Sequence, residues 1–509
     1  MSRTKAFLVP LCVLMILGTL LALSPALVAS GQGFPLQQAQ QDRIDAYIRS
    51  SMQRANIPGL ALGVVRGDEV VYVQGYGIAA PDGRVVTAQT PFILGSTSKS
   101  FTALAAMQLV EVGMIDLDAP VTTYLPWFHT DNAAASAQIT VRNLLHQTSG
   151  LPAGAGRMDF AENDQSSTAL ETGIRALSAM SLSRPAGQRY EYANGNYNAL
   201  GLIVQAVSGL SYEDYIRLEV FAPLQMTHSA AALSDPAARD LATGYRYWFS
   251  WPMAFDAPYP RRMTPSGFLI SSAEDMTHYL IAQLNGGAYG SNQLLSPEGI
   301  TTLHLPGARI SPSRAYGMGW MIENQPGSTE VWHNGDVSNF HSNLLLLPDQ
   351  NIGIVVLVNV GGFLNSSALD IPVRGVAEIL LGNSLSEVMD PALAVVPQLC
   401  MLAAALVLLI SIAASWRSIR RWPQRGQLAP VGIDGFTRLY LPLVADVLPV
   451  ILAWILLLSQ PDTPIEAIAL FAPDVCFVLV VLTVLSVGWA MVRIRLTLRS
   501  HALIQHTGS

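Results

Sequence analysis

Three apolar runs crowd the last quarter of the chain, at 393–414, 439–458 and about 467–492, and they limit what it can fold into more than any other feature. Each approaches or exceeds the roughly 18 to 20 residues that a helix needs to cross a bilayer. Composition agrees. Only 13% of residues are charged, against roughly 25% in soluble globular domains, and mean hydropathy is positive. The expectation is three transmembrane helices over 393–495, reached through a short polar linker at 383–392. Arg417, Arg420, Arg421, Arg425 and Arg438 lie between the first and second runs, and Arg493, Arg495 and Arg499 follow the third, whereas residues 460–468 hold no basic side chain. Basic loops stay on the cytoplasmic side, so residues 496–509 are expected to form a cytoplasmic tail and the region before the first run to lie outside. The N-terminus points the same way. Arg3 and Lys5, the apolar stretch 6–23 and the small residues near Ala29 and Ser30 follow the order of a secretory signal, expected over residues 1–29. A multi-pass cell-membrane protein with the lipid bilayer as partner follows. Asp446 and Asp474, inside or beside these runs, are read as facing the helix bundle and the interface.

Between residues 34 and 382 the pattern becomes that of a globular domain, and 509 residues are enough for two or more structural units. An amphipathic helix is expected from about Gln37 to Arg54. Gly59 to Val65 and Glu69 to Val73, separated by Arg66-Gly67-Asp68, read as a β-hairpin; Ser342 to Leu347 and Ile352 to Val358 read as a second. Strands at both ends with helical patterns between them predict an α+β domain: one antiparallel sheet flanked by helices, with a helical region inserted in the middle. The formal net charge is -7 and no dense basic run occurs in the centre, which argues against nucleic acid as a partner. Cys12, Cys400 and Cys476 all fall in apolar runs, leaving the central region without a metal-spaced cysteine pair, a disulfide framework or a thiol nucleophile.

The chemistry concentrates at Gly95-Ser96-Thr97-Ser98-Lys99, where an apolar stretch turns into a helical pattern reaching about Val112. Residues three apart are neighbours on a helix, so the Ser96 hydroxyl and the Lys99 amine can touch. Serine is a weak nucleophile that needs a base, and a desolvated lysine supplies one once its pKa falls from about 10.4. The helix start adds backbone N–H groups for developing negative charge. Ser-x-x-Lys alone is a weak signal, since Ser2-Arg3-Thr4-Lys5 matches it too. Lysine usage sharpens it: the chain has two lysines against 27 arginines. A sequence that writes other cations as Arg yet keeps Lys99 needs an amine able to deprotonate, which Arg does not offer.

The segment Gly95 to Thr102 resembles the active-site segment of the serine β-lactamase and penicillin-binding-protein superfamily. Further resemblance to its class C-like branch lies in Leu144 to Pro152, Pro185-Ala-Gly187, Tyr192-Ala-Asn194, Ser266 to Asp275, Tyr316 to Trp320 and Trp332-His333-Asn334-Gly335. The resemblance implies a β-lactamase/transpeptidase-like fold over 34–382 and an acyl-enzyme on Ser96. Lys99 and Tyr192 would share the proton transfers, Asn194 would orient Lys99 and the substrate, and the N–H groups of Ser96 and Asp336 would form an oxyanion hole. His333, Asn334, Gly335 and Asp336 would border the substrate. His333 stands where many relatives place a lysine, and a largely neutral imidazole holds a carboxylate less firmly, so strong β-lactam hydrolysis is not expected. Asn339 occupies a position often filled by glycine. His146, His278 and His341 receive structural or surface roles.

The expected function is a membrane-anchored extracytoplasmic serine hydrolase that cleaves an amide or ester, with a small molecule or peptide as substrate and neither cofactor nor metal. No feature of the sequence fixes an oligomeric state. Two other readings share these residues: a sensor that acylates on Ser96 without turning over, and a catalytically inactive membrane-associated binding module.

Overall fold

The computed structural model describes residues 36–325, 327–362, 365–385, 396–421, 441–458 and 465–507. The chain divides into two units, Met1–Phe34 and Pro35–Ser509. The expected signal sequence, most of the linker and Arg425 and Arg438 therefore lie outside the described residues.

The fold starts with helix α1 (Gln38–Ala55), which turns its apolar face inward through Ile44, Ile48 and Met52. Asn56, at φ 51°, ends it in the left-handed conformation that closes many helices. Strands β1 (Gly59–Arg66) and β2 (Glu69–Gly77) then form the first expected hairpin, and Gly67 supplies the positive φ of its turn. The remaining strands of the main sheet come from the far end of the domain. They are two short strands (Ala308–Arg309 and Arg314–Tyr316), β5 (Met321–Gln325), β6 (Ser328–Val337), β7 (Phe340–Leu347) and β8 (Ile352–Val358). All eight strands pair antiparallel, with β1 against β8, so the two ends of the domain close one sheet as the sequence implies.

Every residue of β7 and β8 is buried, which is why residues 344–347 and β8 read as unbroken apolar runs and not as alternating patterns. On one face, α1 and helix α5 (Ile371–Leu381) pack Ile44, Ile48, Val376 and Ile379 against Leu62, Ile354 and Val356. On the other lie α2 (Ser98–Glu111), α3 (Asn194–Ser208) and α4 (Ala273–Leu284), with Phe101, Leu200, Tyr279 and Leu280 in the same core as Val355 and Leu357. Helix α2 is enclosed from Ser98 to Met107, so it is a central strut and not an amphipathic surface helix. A small hairpin, β3 (Tyr245–Trp248) and β4 (Trp251–Ala254), joins the strand Val360–Gly361 at the edge of the domain.

After the domain come α6 (Val396–Arg421), α7 (Leu441–Leu458), the short α8 (Ile465–Phe471) and α9 (Pro473–Thr507). The Trp454 indole donates to Thr483 at 2.7 Å and Trp416 lies 5.9 Å from Trp489, so α6 and α7 both pack on α9. Three membrane spans were expected; among the described residues there is one candidate, not three. Among the described residues a single helical stretch, Pro473–Arg495, is long and apolar enough to cross a bilayer, with mean hydropathy 2.6 over 23 residues. Helix α6 carries Arg417, Arg420 and Arg421 at its C-terminal end. Helix α7 runs unbroken over 18 residues and contains Pro442, Asp446 and Pro449.

The core around α2 gives a stability prediction. Phe101 is fully buried and stacks on Tyr279 with ring centroids 3.9 Å apart. Phe101→Ala is expected to destabilise the domain by about 3 to 5 kcal/mol, read as a lowered urea midpoint at unchanged slope.

Candidate active site

The turn into α2 exists because of one glycine. Gly95 sits at φ +57°, and a Cβ there would come within 2.6 Å of the Gly335 carbonyl carbon and 2.7 Å of the Asp336 nitrogen. Gly335 is equally confined from the other side, since its Cβ would meet the Leu94 oxygen at 2.0 Å and the Ser96 nitrogen at 2.9 Å. Two glycines thus let the helix start and strand β6 touch backbone to backbone, bringing the amides of Ser96 and Asp336 to one spot. Ser342 and Thr97 hold the junction, both hydroxyls donating to the Leu94 carbonyl, at 2.5 and 2.8 Å. Within residues 92–107 Ser96 alone keeps partial exposure.

Lys99, one turn further, is completely buried. Its Nζ lies 3.0 Å from Ser96 Oγ, 2.9 Å from Asn194 Oδ1 and 2.6 Å from the Ser266 carbonyl oxygen. All three partners are neutral, and burial holds the amine pKa well below its ordinary 10.5. A neutral amine has two hydrogens and one lone pair. The Asn194 and Ser266 oxygens only accept, so the charged amine donates to all three partners, and on losing a proton it keeps those two bonds and turns its lone pair to the Ser96 hydroxyl.

Tyr192 completes the cluster, with Lys99 Nζ 4.8 Å from its ring centroid. Burial raises its phenol pKa well above 10, the neighbouring Tyr316 adds to the rise, and a side-chain hydrogen bond with Ser96 opposes it. Burial thus disfavours the charged form of both groups, lowering the pKa of the amine and raising that of the phenol. The Tyr192-Ala193-Asn194 turn is held from behind by Gln147. Gln147 is buried at φ 58°, and its side-chain oxygen accepts from the Ala193 amide at 3.0 Å and the Asn196 amide at 2.5 Å. The segment around Gln147, whose part in the site is not apparent from sequence, thus acts as a brace.

Strand alternation divides the residues of β6. His333 and Gly335 point toward the cleft. His333 is buried; burial and then the Lys99 charge lower its pKa to about 3. Its Nδ1 lies 2.6 Å from the Asn334 carbonyl, which can only accept, so Nδ1 carries the proton and Nε2 accepts from the Tyr316 hydroxyl at 3.3 Å. Asn334 and Asp336 send their side chains to the opposite face. Asn334 donates to Asp370 at 3.3 Å, and Asp336 accepts from His341 Nδ1 at 2.8 Å and Ser366 at 2.9 Å. Only the backbone of these two residues borders Ser96.

His341, assigned a structural role from sequence, is the centre of that second network, with its Nε2 3.2 Å from Asp370. Burial works against its charged form, but the carboxylates of Asp336 and Asp370 outweigh it and raise its pKa to about 10. Asp370 remains ionised, because hydrogen bonds and charge from His341, with Asn343 and Asn334, overcome its own burial. No single sequence segment signals this triad. Asn339, at the β6–β7 turn, donates to the Phe255 carbonyl at 3.2 Å and ties the end of β6 to the β3–β4 hairpin.

The profile of the family described as Beta-lactamase matches residues 44–377. The chain belongs to the β-lactamase family. It is 33% identical over 328 residues to Protein flp of Staphylococcus aureus, covering 64% of each chain. It is 27% identical over 329 residues to the Unguisins hydrolase ungD' of Aspergillus campestris, covering 61% of this chain and 60% of that one. The chain thus spans under two thirds of the length of the curated relatives it matches. An octameric penicillin-binding protein homologue from Pyrococcus abyssi superposes with a TM-score of 0.58 at 28% identity, over 68% of this chain and 79% of that one. The family and fold expected from the Ser96–Lys99 motif are those found: a β-lactamase-like serine hydrolase fold.

The His341 triad carries a pH prediction. A folded pKa of about 10, above the unfolded value of about 6.5, contributes stability that is fully present below pH 6.5 and lost as pH rises through 10. Both carboxylates are about a third exposed, so His341→Gln should cost on the order of 2 kcal/mol at neutral pH, less than the roughly 3 to 5 of a fully buried pair. Denaturant melts of both proteins at pH 7 and pH 10.5 test this, the gap between them closing at the higher pH.

Proposed function

We propose that this chain is a membrane-anchored, extracytoplasmic serine hydrolase that cleaves an amide or ester, such as a D-peptide or a small ester, through an acyl-enzyme on Ser96. The observation that carries the reading is the buried, uncompensated Lys99 amine 3.0 Å from the Ser96 hydroxyl. Burying a charged amine is costly; a fold that accepts the cost gains an amine whose pKa is lowered and which therefore gives up its proton more readily. The relative named as a hydrolase supports turnover over a binding role. Membrane anchoring rests on the stretch Pro473–Arg495, and the outward orientation on Arg493, Arg495 and Arg499 at and after its C-terminal end against no basic residue at 460–468 before it.

In the first step Lys99 takes the Ser96 proton as Oγ bonds to the substrate carbonyl carbon. The carbonyl oxygen gains negative charge between the Ser96 and Asp336 amides, each donor lowering the barrier by about 3 kcal/mol. Collapse of the tetrahedral species breaks the bond to the leaving nitrogen or oxygen, which takes the proton from Lys99 by way of the Tyr192 hydroxyl. Tyr192 acts as a donor and relay and not as a phenolate, because its pKa is raised and that of Lys99 lowered. Water then attacks the ester carbonyl and gives a proton to the same pair; collapse breaks the acyl–Oγ bond, Oγ takes that proton back, and the carboxylic acid product leaves. The Asn194 amide holds the Lys99 amine in place and offers its N–H groups to substrate.

His333 sets the substrate class. Neutral and hydrogen-bonded to Tyr316, it gives no fixed cation for a substrate carboxylate, so acyl donors lacking one are favoured.

Three outcomes follow. Lys99→Arg keeps the charge and loses the base, and should lower kcat toward a chromogenic ester by about 10² to 10⁴-fold; near-native turnover would contradict the base assignment. A fluorophosphonate probe should label the native chain and spare Ser96→Ala, with steady turnover after any burst separating a hydrolase from a sensor. Neutral esters should show higher kcat/KM than carboxylate-bearing cephalosporins, a ranking that His333→Lys narrows.

A further inference from the structure

The β3–β4 hairpin presents large apolar side chains that the catalytic cluster does not use. Trp251 is 68% exposed and Met253 55% exposed, and Trp248 pairs with Trp251 at the last rung before the turn. Singly exposed hydrophobes are ordinary, whereas several on one projecting tip mark a contact surface. The turn itself is strained. Phe249 and Ser250 stand at φ 49° and 66°, positions that two-residue hairpins normally fill with Asn-Gly or Asp-Gly. A bulky aromatic is held there although the conformation disfavours it, the Ser250 carbonyl being pinned by Asn56 at 3.2 Å.

The tip adjoins the one helix among the described residues that is long and apolar enough to cross a membrane. Trp248 lies 5.3 Å from Phe477, the fifth residue of α9. At 1.5 Å per residue this contact falls roughly 6 Å past the helix start, the depth at which tryptophan collects between water and acyl chains. A second contact, Phe471 edge-on to Phe160 at 4.9 Å, fixes α8 to the body of the domain.

We propose that the β3–β4 hairpin is an interfacial anchor, laying Trp248, Phe249, Trp251 and Met253 into the headgroup region of the bilayer that α9 crosses. The proposal rests on the membrane-anchored reading of α9. Lipid is the occupant because the patch is continuous with a helix of spanning length. Through Asn339, which holds the Phe255 carbonyl just beyond β4, the anchored hairpin also fixes strand β6 beside Ser96, setting the catalytic cleft at a constant height over the lipid surface.

The test uses the full chain in phosphatidylcholine proteoliposomes, with Cys12, Cys400 and Cys476 replaced by alanine and an environment-sensitive NBD label on Met253→Cys. A label on Val112→Cys, an exposed site at the end of α2, serves as control. The label at 253 should emit at shorter wavelength than that at 112 and be quenched at least twofold by lipid spin-labelled near the headgroup. Equal emission and no quenching at 253 would overturn the proposal. Alkaline carbonate extraction separates the two levels: a chain that stays in the vesicles with an unquenched label defeats the hairpin anchor alone, while a chain released by carbonate defeats the membrane reading and the anchor with it. A Trp248→Ser/Trp251→Ser chain should lose the quenching at 253 while turning over a soluble ester at the native rate.

Discussion

Burial of the Lys99 amine among neutral oxygens governs the rest of the site. Desolvation lowers its pKa, and the two acceptor-only oxygens of Asn194 and Ser266 decide which way its lone pair points. The burial in turn requires α2 to run through the core enclosed on every side. That demands the tight entry at Gly95, the approach of Gly335, and the brace of Gln147 behind Tyr192 and Asn194. His333 follows from the same constraint: burial first, and the nearby Lys99 second, disfavour a cation at this position, and a neutral imidazole avoids that cost.

Strand β6 connects two electrostatic regimes across its own thickness. On the cleft side its side chains are neutral. On the other side an imidazolium between two carboxylates locks Asp336, whose amide stands next to Ser96. Position and charge are separated by strand alternation, so the strand can be held by an ion triad without putting a charge where substrate carbonyls bind.

Much of this was legible in the sequence, and the reasons differ by element. The two hairpins could be read because short apolar runs bounded by Arg66-Gly67-Asp68 and Pro348 to Asn351 leave few other folds, and β1–β2 and β7–β8 formed as expected. Lys99 stood out because the chain otherwise prefers arginine. The His341 triad was not legible, since its members come from β6, β7 and the turn into α5 and meet only once strand register is fixed. The Ser266 carbonyl is backbone, which has no signature of its own. The β3–β4 hairpin lacks the Asn-Gly chemistry that announces such turns, its Phe249-Ser250 pair being a poor turn former. In the C-terminal region three runs were expected to span, whereas among the described residues one stretch, Pro473–Arg495, is long and apolar enough to do so.

The state of one amine can be measured directly. Apart from Lys5 the chain contains no lysine but Lys99, so an NMR titration of protein carrying ¹³C-labelled lysine reports on it almost alone, with Lys99→Arg to assign the signal. A buried neutral base gives a ¹³Cε shift typical of an uncharged amine at pH 7 and a midpoint well below 10.5. A charged amine at pH 7 that titrates near its ordinary value would contradict the assignment of Lys99 as the group that activates Ser96.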